Sequence, residues 1–154
     1  MTNTPEQKLE QLGIRLPHAS APVANYVNYV QAGNLLFLSG KGPQQSDETY
    51  ITGKLGKELS IQQGYEAAKL AAISHIAVLK TALGDLSRVK KIVKVLGMVN
   101  CTDEFTEQPK VINGYSDLML GVFGDKGKHA RSAVGINALP MNIAVEVEVI
   151  VEIE

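Results

Sequence analysis

The segment Ser60–Leu83, SIQQGYEAAKLAAISHIAVLKTAL, decides how the rest of this 154-residue chain is arranged. Ser60 and Gln63 stand in the positions of a capping box, and Gly84 follows as a C-terminal glycine. Apolar side chains recur at steps of three and four: Tyr65, Ala68, Ala72, Ile76, Leu79 and Leu83. The small alanines on this stripe permit a close approach, so the spacing predicts a long helix packed on a sheet.

The strands of that sheet are predicted by a different pattern. Ile143–Ile153, IAVEVEVIVEI, places valines and isoleucine on one side and glutamates on the other, which predicts a strand with one buried face. Arg88–Asn100 is rich in valine and isoleucine and predicts a long central strand. A long helix beside two long strands favours helix-on-sheet packing.

Shorter elements complete the sheet. Tyr26–Gln31 and Asn34–Ser39 are predicted as two strands joined by a glycine turn. Because Leu35–Leu38 is apolar at successive positions, we expect that strand to be covered on both faces. Residues 44–59 are polar and punctuated by glycine, which predicts a loop with at most a short strand, and Arg131–Ile136 predicts a further short strand.

Two more helices are predicted. A capping box at Thr4 and Gln7 predicts a short first helix, with Leu9 and Leu12 facing the body of the protein. A second long helix is predicted from about Glu107 to Val122. The chain is therefore expected to be an α+β domain with a mixed β-sheet and two long helices on one face. The opposite face carries apolar residues, so a symmetric oligomer is expected to cover it.

Composition argues against several classes of function. The 15 basic and 16 acidic side chains give a net charge of −1, which lacks the dense basic field of nucleic-acid-binding proteins. Cys101 is the single cysteine, and the polar start Met1–Gln11 does not resemble a signal peptide, so a cytoplasmic location without membrane contact is expected.

The histidines do not predict a metal site. His18, His75 and His129 are scattered, and no cysteine or carboxylate cluster joins them with ligand spacing. His75 lies beside the apolar helical stripe and is expected to snorkel to the surface or to cap a contact. His129 is interpreted as a turn histidine, with a supporting contact to nearby Arg131 as the alternative.

One motif carries a family resemblance. Arg131–Pro140, RSAVGINALP, followed by Val145–Glu148, VEVE, is similar to the signature of the RidA/YjgF reactive-intermediate deaminases, also called the endoribonuclease L-PSP family. Separated positions agree with that family in order and approximate spacing: Tyr26, Ser39, Gly40, Asn113 and the run Leu83-Gly84-Asp85-Leu86. The resemblance covers the chain from about residue 20, so residues 1–154 are interpreted as a single domain with residues 1–19 as an N-terminal extension.

The resemblance implies a fold, an assembly and a reaction. The family fold is chorismate-mutase-like, and its members typically form homotrimers with ligand clefts between subunits. The implied reaction is hydrolysis of small 2-imino or 2-amino-enoic acids to 2-keto acids and ammonia, without metal or other cofactor.

Roles for individual residues follow from the same resemblance. Arg131 is expected to hold the substrate carboxylate, and Glu146 to orient water or carry a proton with a hydrogen bond from Tyr26. Ser39 and Gly40 are expected to line the pocket, and Asn113 to add a polar contact. Ala133 is expected to contact the substrate at a position where many family members have cysteine; if the position acts through its backbone N–H, alanine loses little, but thiol chemistry there is absent.

Two other functions stay open at this point. A non-catalytic trimer that binds 2-keto acids as a sensor or regulator would need Arg131 in the same way, so the sequence does not separate binding from catalysis. An endoribonuclease is a weaker alternative, because neither a basic groove nor a catalytic histidine pair is visible in the sequence.

Overall fold

The computed structural model describes residues 2–154, and its elements follow the predicted order. The helices and strands are α1 Pro5–Gln11, β1 Tyr29–Ala32, β2 Leu35–Lys41, α2 Ile61–Leu83, β3 Val89–Asn100, α3 Gln108–Phe123, β4 Ala130–Ile136 and β5 Val145–Ile153. Short 3-10 turns at Leu86–Arg88, Gly124–Gly127 and Pro140–Asn142 connect them. Between β2 and α2 the chain forms isolated bridges only, as predicted for a loop.

The five strands form one mixed sheet. The strand order is β1-β2-β5-β3-β4, in which β3 and β4 run parallel and every other pair is antiparallel. The predicted mixed sheet is therefore confirmed. β5 lies in the middle of the sheet with β3 beside it, so both long strands have neighbours on each side.

Helices α2 and α3 both pack on one face of this sheet, as predicted. The alternating apolar residues of β5 are buried beneath them: Val145, Val147, Val149, Val151 and Ile153. The two helices approach each other very closely at Gly114, where an added Cβ would lie 2.0 Å from the carbonyl oxygen of Tyr65. Only glycine fits at this crossing.

Helix α1 packs on the outside of the helical layer. Its predicted capping box at Thr4 and Gln7 is present, and Leu9 is buried. The prediction that Leu12 also faces the body is met only in part, because Leu12 stays 53% exposed. The reason is its neighbour on α3, Gly121, which lies beside Leu12 and has no side chain to cover it.

The second face of the sheet is uncovered in the single chain, so the expected covering of β2 on both faces is not met within one copy. Leu36 and Leu38 are buried under the helices, but Phe37 between them is 44% exposed on the other side. β2 is therefore covered on one face only. We call this side the open face, lined by Phe37, Lys94, Leu96, Glu148 and Ile150 around a depression of about 240 Å³. Its burial in an oligomer stays a prediction.

Residues 2–154 contain neither a membrane-spanning helix nor a cluster of side chains that could hold a metal ion. None of their helices combines the length and the apolar character needed to cross a bilayer. None of their histidine, cysteine and carboxylate side chains come together in threes around a possible metal position.

Candidate functional site

Arg131 lies on the helix-covered face of the sheet, on the edge strand β4. It pairs with Val95 of β3, which pairs in turn with Val149 of β5, and both valines belong to the core. Paired residues share a face, so the Arg131 side chain projects toward the helices. There its Nη1 donates hydrogen bonds to Asn113 Oδ1 at 2.9 Å and to Ser116 Oγ at 3.1 Å, both on α3.

The guanidinium keeps one edge free. Both of its hydrogen bonds to residues 2–154 leave from Nη1, so neither Nε nor Nη2 has a protein acceptor there. Within the same residues, no aspartate or glutamate forms an ion pair with Arg131. The Nε–Nη2 edge presents two parallel N–H donors, the geometry that matches the two oxygens of a carboxylate.

A hydrogen-bonded chain continues behind Arg131. Ser116 Oγ lies 2.9 Å from His129 Nε2, and His129 Nδ1 lies 2.7 Å from the Gly127 carbonyl oxygen. Burial, together with the charges of Arg131 and Lys91, lowers the pKa of His129, which favours its neutral form. The contact of His129 with the Arg131 network was the less favoured alternative from sequence.

Sequence reasoning missed Ser116. The signal that could have found it is helical spacing, because Ser116 follows Asn113 by three positions and the two side chains therefore share one face of α3. Ala133 lies on the same face of β4 as Arg131, partly buried against the core. Arg131, Asn113 and Ala133 thus form one group, which we call the arginine group.

The other predicted residues form a second group around the β2–β5 pair. The Ser39 hydroxyl donates to the Val27 carbonyl at 2.6 Å, and the Ser39 N–H donates to the Asn28 carbonyl at 2.9 Å, which ties β2 to the segment just after Tyr26. A register irregularity follows between Leu38 and Lys41. We call Tyr26, Ser39, Gly40 and Glu146 the glutamate group.

Glu146 lies directly on the backbone of Gly40. A Cβ added at Gly40 would be 3.0 Å from both Cδ and Oε1 of Glu146, so the missing side chain leaves room for the carboxylate. Burial, with a smaller contribution from Glu148, raises the pKa of the half-buried Glu146. A carboxyl group of this kind exchanges protons nearer to neutral pH than a solvated one.

Tyr26 is less constrained than the rest of its group. Its side chain is 51% exposed, and its hydroxyl makes no hydrogen bond to residues 2–154. The predicted hydrogen bond from Tyr26 to Glu146 or to water therefore stays a prediction.

His75 supports the glutamate group from inside the core. It is fully buried, with Nε2 2.9 Å from the Ser39 carbonyl oxygen and Nδ1 2.8 Å from the Tyr115 hydroxyl. Since a carbonyl only accepts, Nε2 carries the proton and Nδ1 accepts from Tyr115. Burial lowers the pKa of His75 to about 4. Of the two roles expected for His75, capping a contact is the one found.

The two groups do not meet within one chain. Glu146 pairs with Met98 and alternates with core residues Val145 and Val147, so it lies on the open face, whereas Arg131 lies on the helix-covered face. β3 separates β4 from β5, a distance of about 10 Å between strand axes. A site that contains both Arg131 and Glu146 would need a second copy of the chain.

A second surface depression, larger than the one on the open face, lies away from both groups of residues. It measures about 510 Å³ and is lined by residues of α1 and the segment after it, together with Lys80. None of the predicted site residues contributes to it. We therefore assign the candidate site from the geometry of Arg131 rather than from the size of a cavity.

This chain is similar to known proteins over nearly its whole length. The family described as "YjgF/chorismate mutase-like, putative endoribonuclease" matches residues 6–153. "Protein TCP17" of Trypanosoma cruzi is 47% identical over 146 residues, which cover 94% of this chain and 91% of that protein. A "2-iminobutanoate/2-iminopropanoate deaminase" of Dermatophagoides farinae is 31% identical, over 92% of this chain and 95% of that protein.

The fold also matches solved structures. A protein of Shewanella oneidensis, described as "a putative endoribonuclease", superposes with a TM-score of 0.94 at 36% sequence identity. The match covers 98% of this chain and all of that one, at 100%. Essentially every element of the present fold therefore has a counterpart there.

Proposed function

Because this chain belongs to the YjgF/chorismate mutase-like family, we propose that it hydrolyses small 2-imino or 2-amino-enoic acids to 2-keto acids and ammonia. The observation that carries the proposal is the free Nε–Nη2 edge of Arg131, without an ion-pair partner in residues 2–154. A further support is the relative from Dermatophagoides farinae, whose name is that of such a deaminase.

Substrate binding begins with the carboxylate. A 2-imino acid has one fixed negative group, and the Arg131 edge offers two parallel donors to it. A charge-assisted hydrogen bond of this kind contributes about 1.5–3 kcal/mol. Asn113, which fixes one Nη1 hydrogen, holds the guanidinium ready for this contact.

The reaction then needs water and one proton carrier. Water adds to the C=N carbon, the nitrogen takes up a proton, and the tetrahedral adduct loses ammonia as the C=O bond forms. Glu146 is the candidate carrier, because its raised pKa suits it to accept a proton from water and return it to nitrogen. Ser39 and Gly40 would shape the same end of the pocket, with Tyr26 at its exposed rim.

The separation of the two groups makes a second copy part of the proposal. The arginine group of one protomer would face the glutamate group of another, in a homotrimer with clefts between subunits. The exposed apolar residues Phe37 and Val134 on the open face, at 44% and 39% exposure, favour such an assembly. We also place the protein in the cytoplasm, where its buried single cysteine would stay reduced.

A binding protein without catalysis is the second candidate. Binding of a 2-keto acid would need only the arginine group, because no proton is transferred and Glu146 has no part in it. The observation that favours this candidate is the placement of Glu146 on the opposite face from Arg131. We do not propose endoribonuclease activity, because the net charge is −1 and His75 is fully buried.

Turnover of a freshly generated imine tests the proposed function. A serine dehydratase supplies 2-aminoacrylate, and 2-keto acid release is followed with and without this protein. We expect acceleration, and a loss of kcat/KM of about 10- to 150-fold in Arg131→Ala, from the energy of one charge-assisted contact. Arg15→Ala, which removes an exposed arginine elsewhere, should leave the rate unchanged.

Two outcomes would count against the proposal. No acceleration with any small 2-imino acid would reject catalysis, and 2-ketobutyrate binding measured by calorimetry would then support the binding protein instead. An undiminished rate in Arg131→Ala would reject the role of the guanidinium.

A further inference from the structure

The direction of each hydrogen bond behind Arg131 is fixed by chemistry. The Gly127 carbonyl can only accept, so the His129 proton is on Nδ1 and points to it across 2.7 Å. His129 Nε2 is then an acceptor, and the Ser116 hydroxyl donates its only proton to it across 2.9 Å. The Ser116 oxygen is left with lone pairs, one of which accepts from Arg131 Nη1 at 3.1 Å.

We propose that Ser116 and His129 are positioning residues that hold the Arg131 guanidinium in one orientation, with its Nε–Nη2 edge directed outward for a carboxylate. The proposal rests on the proposed function only for the identity of the ligand. The orientation itself is a property of the unliganded protein and is measurable without substrate.

Two acceptors are needed to fix a planar group. If Asn113 alone accepted from Nη1, the guanidinium could turn about that single hydrogen bond. With Asn113 and Ser116 both accepting from the same nitrogen, both Nη1 hydrogens are directed to α3 and the plane of the group is set. The remaining donors then face away from α3.

His129 is needed because a serine hydroxyl rotates freely. In a helix interior, a serine hydroxyl commonly donates back to the carbonyl of the preceding turn. Here the neutral imidazole, half-buried at the end of the segment before β4, takes the Ser116 proton instead. The Gly127 carbonyl keeps that imidazole in the required tautomer. The Gly127 carbonyl therefore fixes the tautomer of His129. His129 in turn orients the Ser116 hydroxyl, which holds the Arg131 guanidinium.

The first test observes Arg131 itself. Rotation about the Cζ–Nε bond of Arg131, followed by nitrogen NMR of the guanidinium in the full-length protein, should be slow in the wild type. It should become faster in Ser116→Ala and in His129→Ala, and Ser116→Thr should restore the slow rate. Ser132→Ala is the matched control, because Ser132 adjoins Arg131 but bonds Lys94 on the other face. Unchanged rotation in both Ser116→Ala and His129→Ala would overturn the proposal.

The second test measures pyruvate binding by calorimetry. Each of Ser116→Ala and His129→Ala should raise the pyruvate Kd by about three- to tenfold, the value of one ordinary hydrogen bond. The double variant should bind pyruvate no more weakly than the worse single variant, since both residues act through the same series of hydrogen bonds. If Arg131→Ala leaves the Kd unchanged, the proposed function fails while the NMR result still decides the positioning role.

Discussion

Acidification from pH 7 to pH 5 should cost this protein about 2 kcal/mol of stability through the single side chain His75. Burial lowers the pKa of His75 from its ordinary value of 6.5 to about 4. The unfolded chain therefore binds the proton first as the pH falls. The contribution of neutral His75 is complete above about pH 6.5 and is lost progressively as the pH falls toward 4.

The matched variant is His75→Gln. Its amide can donate to the Ser39 carbonyl and accept from the Tyr115 hydroxyl, as the imidazole does, but it does not titrate. Denaturant unfolding at pH 7 and pH 5 gives the free energy of unfolding of wild type, His75→Gln and His18→Gln. His18 is exposed and serves as the control, and carboxylate titration and His129 contribute equally to all three proteins.

The expected result is a difference in how strongly the free energy of unfolding depends on pH. Wild type and His18→Gln should lose about 2 kcal/mol more than His75→Gln between the two pH values. Parallel losses in all three proteins would refute the reasoning. If His75→Gln folds too poorly to measure, the NMR titration of His75 in the wild type decides, because a midpoint near 6.5 would contradict the buried, neutral imidazole.

Three substitutions at glycine test the packing and the glutamate group. Gly114→Ala should destabilise the fold by about 3 kcal/mol in denaturant unfolding, because its Cβ would lie 2.0 Å from the Tyr65 carbonyl oxygen; a loss below about 1 kcal/mol would contradict this contact. Gly121→Ala, on the same helix but 3.8 Å from its nearest neighbour, should instead stabilise by up to about 1 kcal/mol, and any destabilisation would be unexpected. Gly40→Ala should displace the flexible Glu146 side chain, whose Cδ would lie 3.0 Å from the new Cβ. We expect kcat in the imine assay to fall at least about tenfold, while the free energy of unfolding changes by less than about 1 kcal/mol. A normal kcat would argue against Glu146 as the proton carrier.

Elements with strong local signals were predictable from the sequence. α2 has a capping box at one end, a glycine at the other and an apolar stripe between them, all within one segment. β5 has strict alternation, and its glutamates point away from the core as predicted. In both cases the information lies between residues close in sequence, where periodicity and capping act.

Contacts between distant segments were not predictable in the same way. His75 meets Tyr115 and Ser39, which are 40 and 36 positions away in sequence. A histidine beside an apolar stripe gives no sign of which carbonyl it will bond. The predicted first strand begins at Tyr26, whereas strand pairing begins only at Tyr29. Strand-like sequence starts before the pairing does, so the pattern alone does not mark the strand's first paired residue.

The separation of Arg131 from Glu146 also depends on long-range pairing. Alternation within β5 predicted the side of Glu146, but the side of Arg131 depends on its register against Val95 in the parallel β3–β4 pair. Parallel register is set by the whole connection through α3 rather than by a local turn. The sequence therefore predicted which residues belong to the candidate site. Its local patterns did not predict that Arg131 and Glu146 lie on opposite faces of the sheet within one chain.

The structure of the protein crystallised with pyruvate tests the central claim most directly. We predict both carboxylate oxygens at about 2.7–3.2 Å from Nε and Nη2 of Arg131, with Glu146 of a second copy facing the keto carbon. Pyruvate bound away from Arg131, or a guanidinium edge that faces bulk solvent with no second copy beside it, would contradict the account.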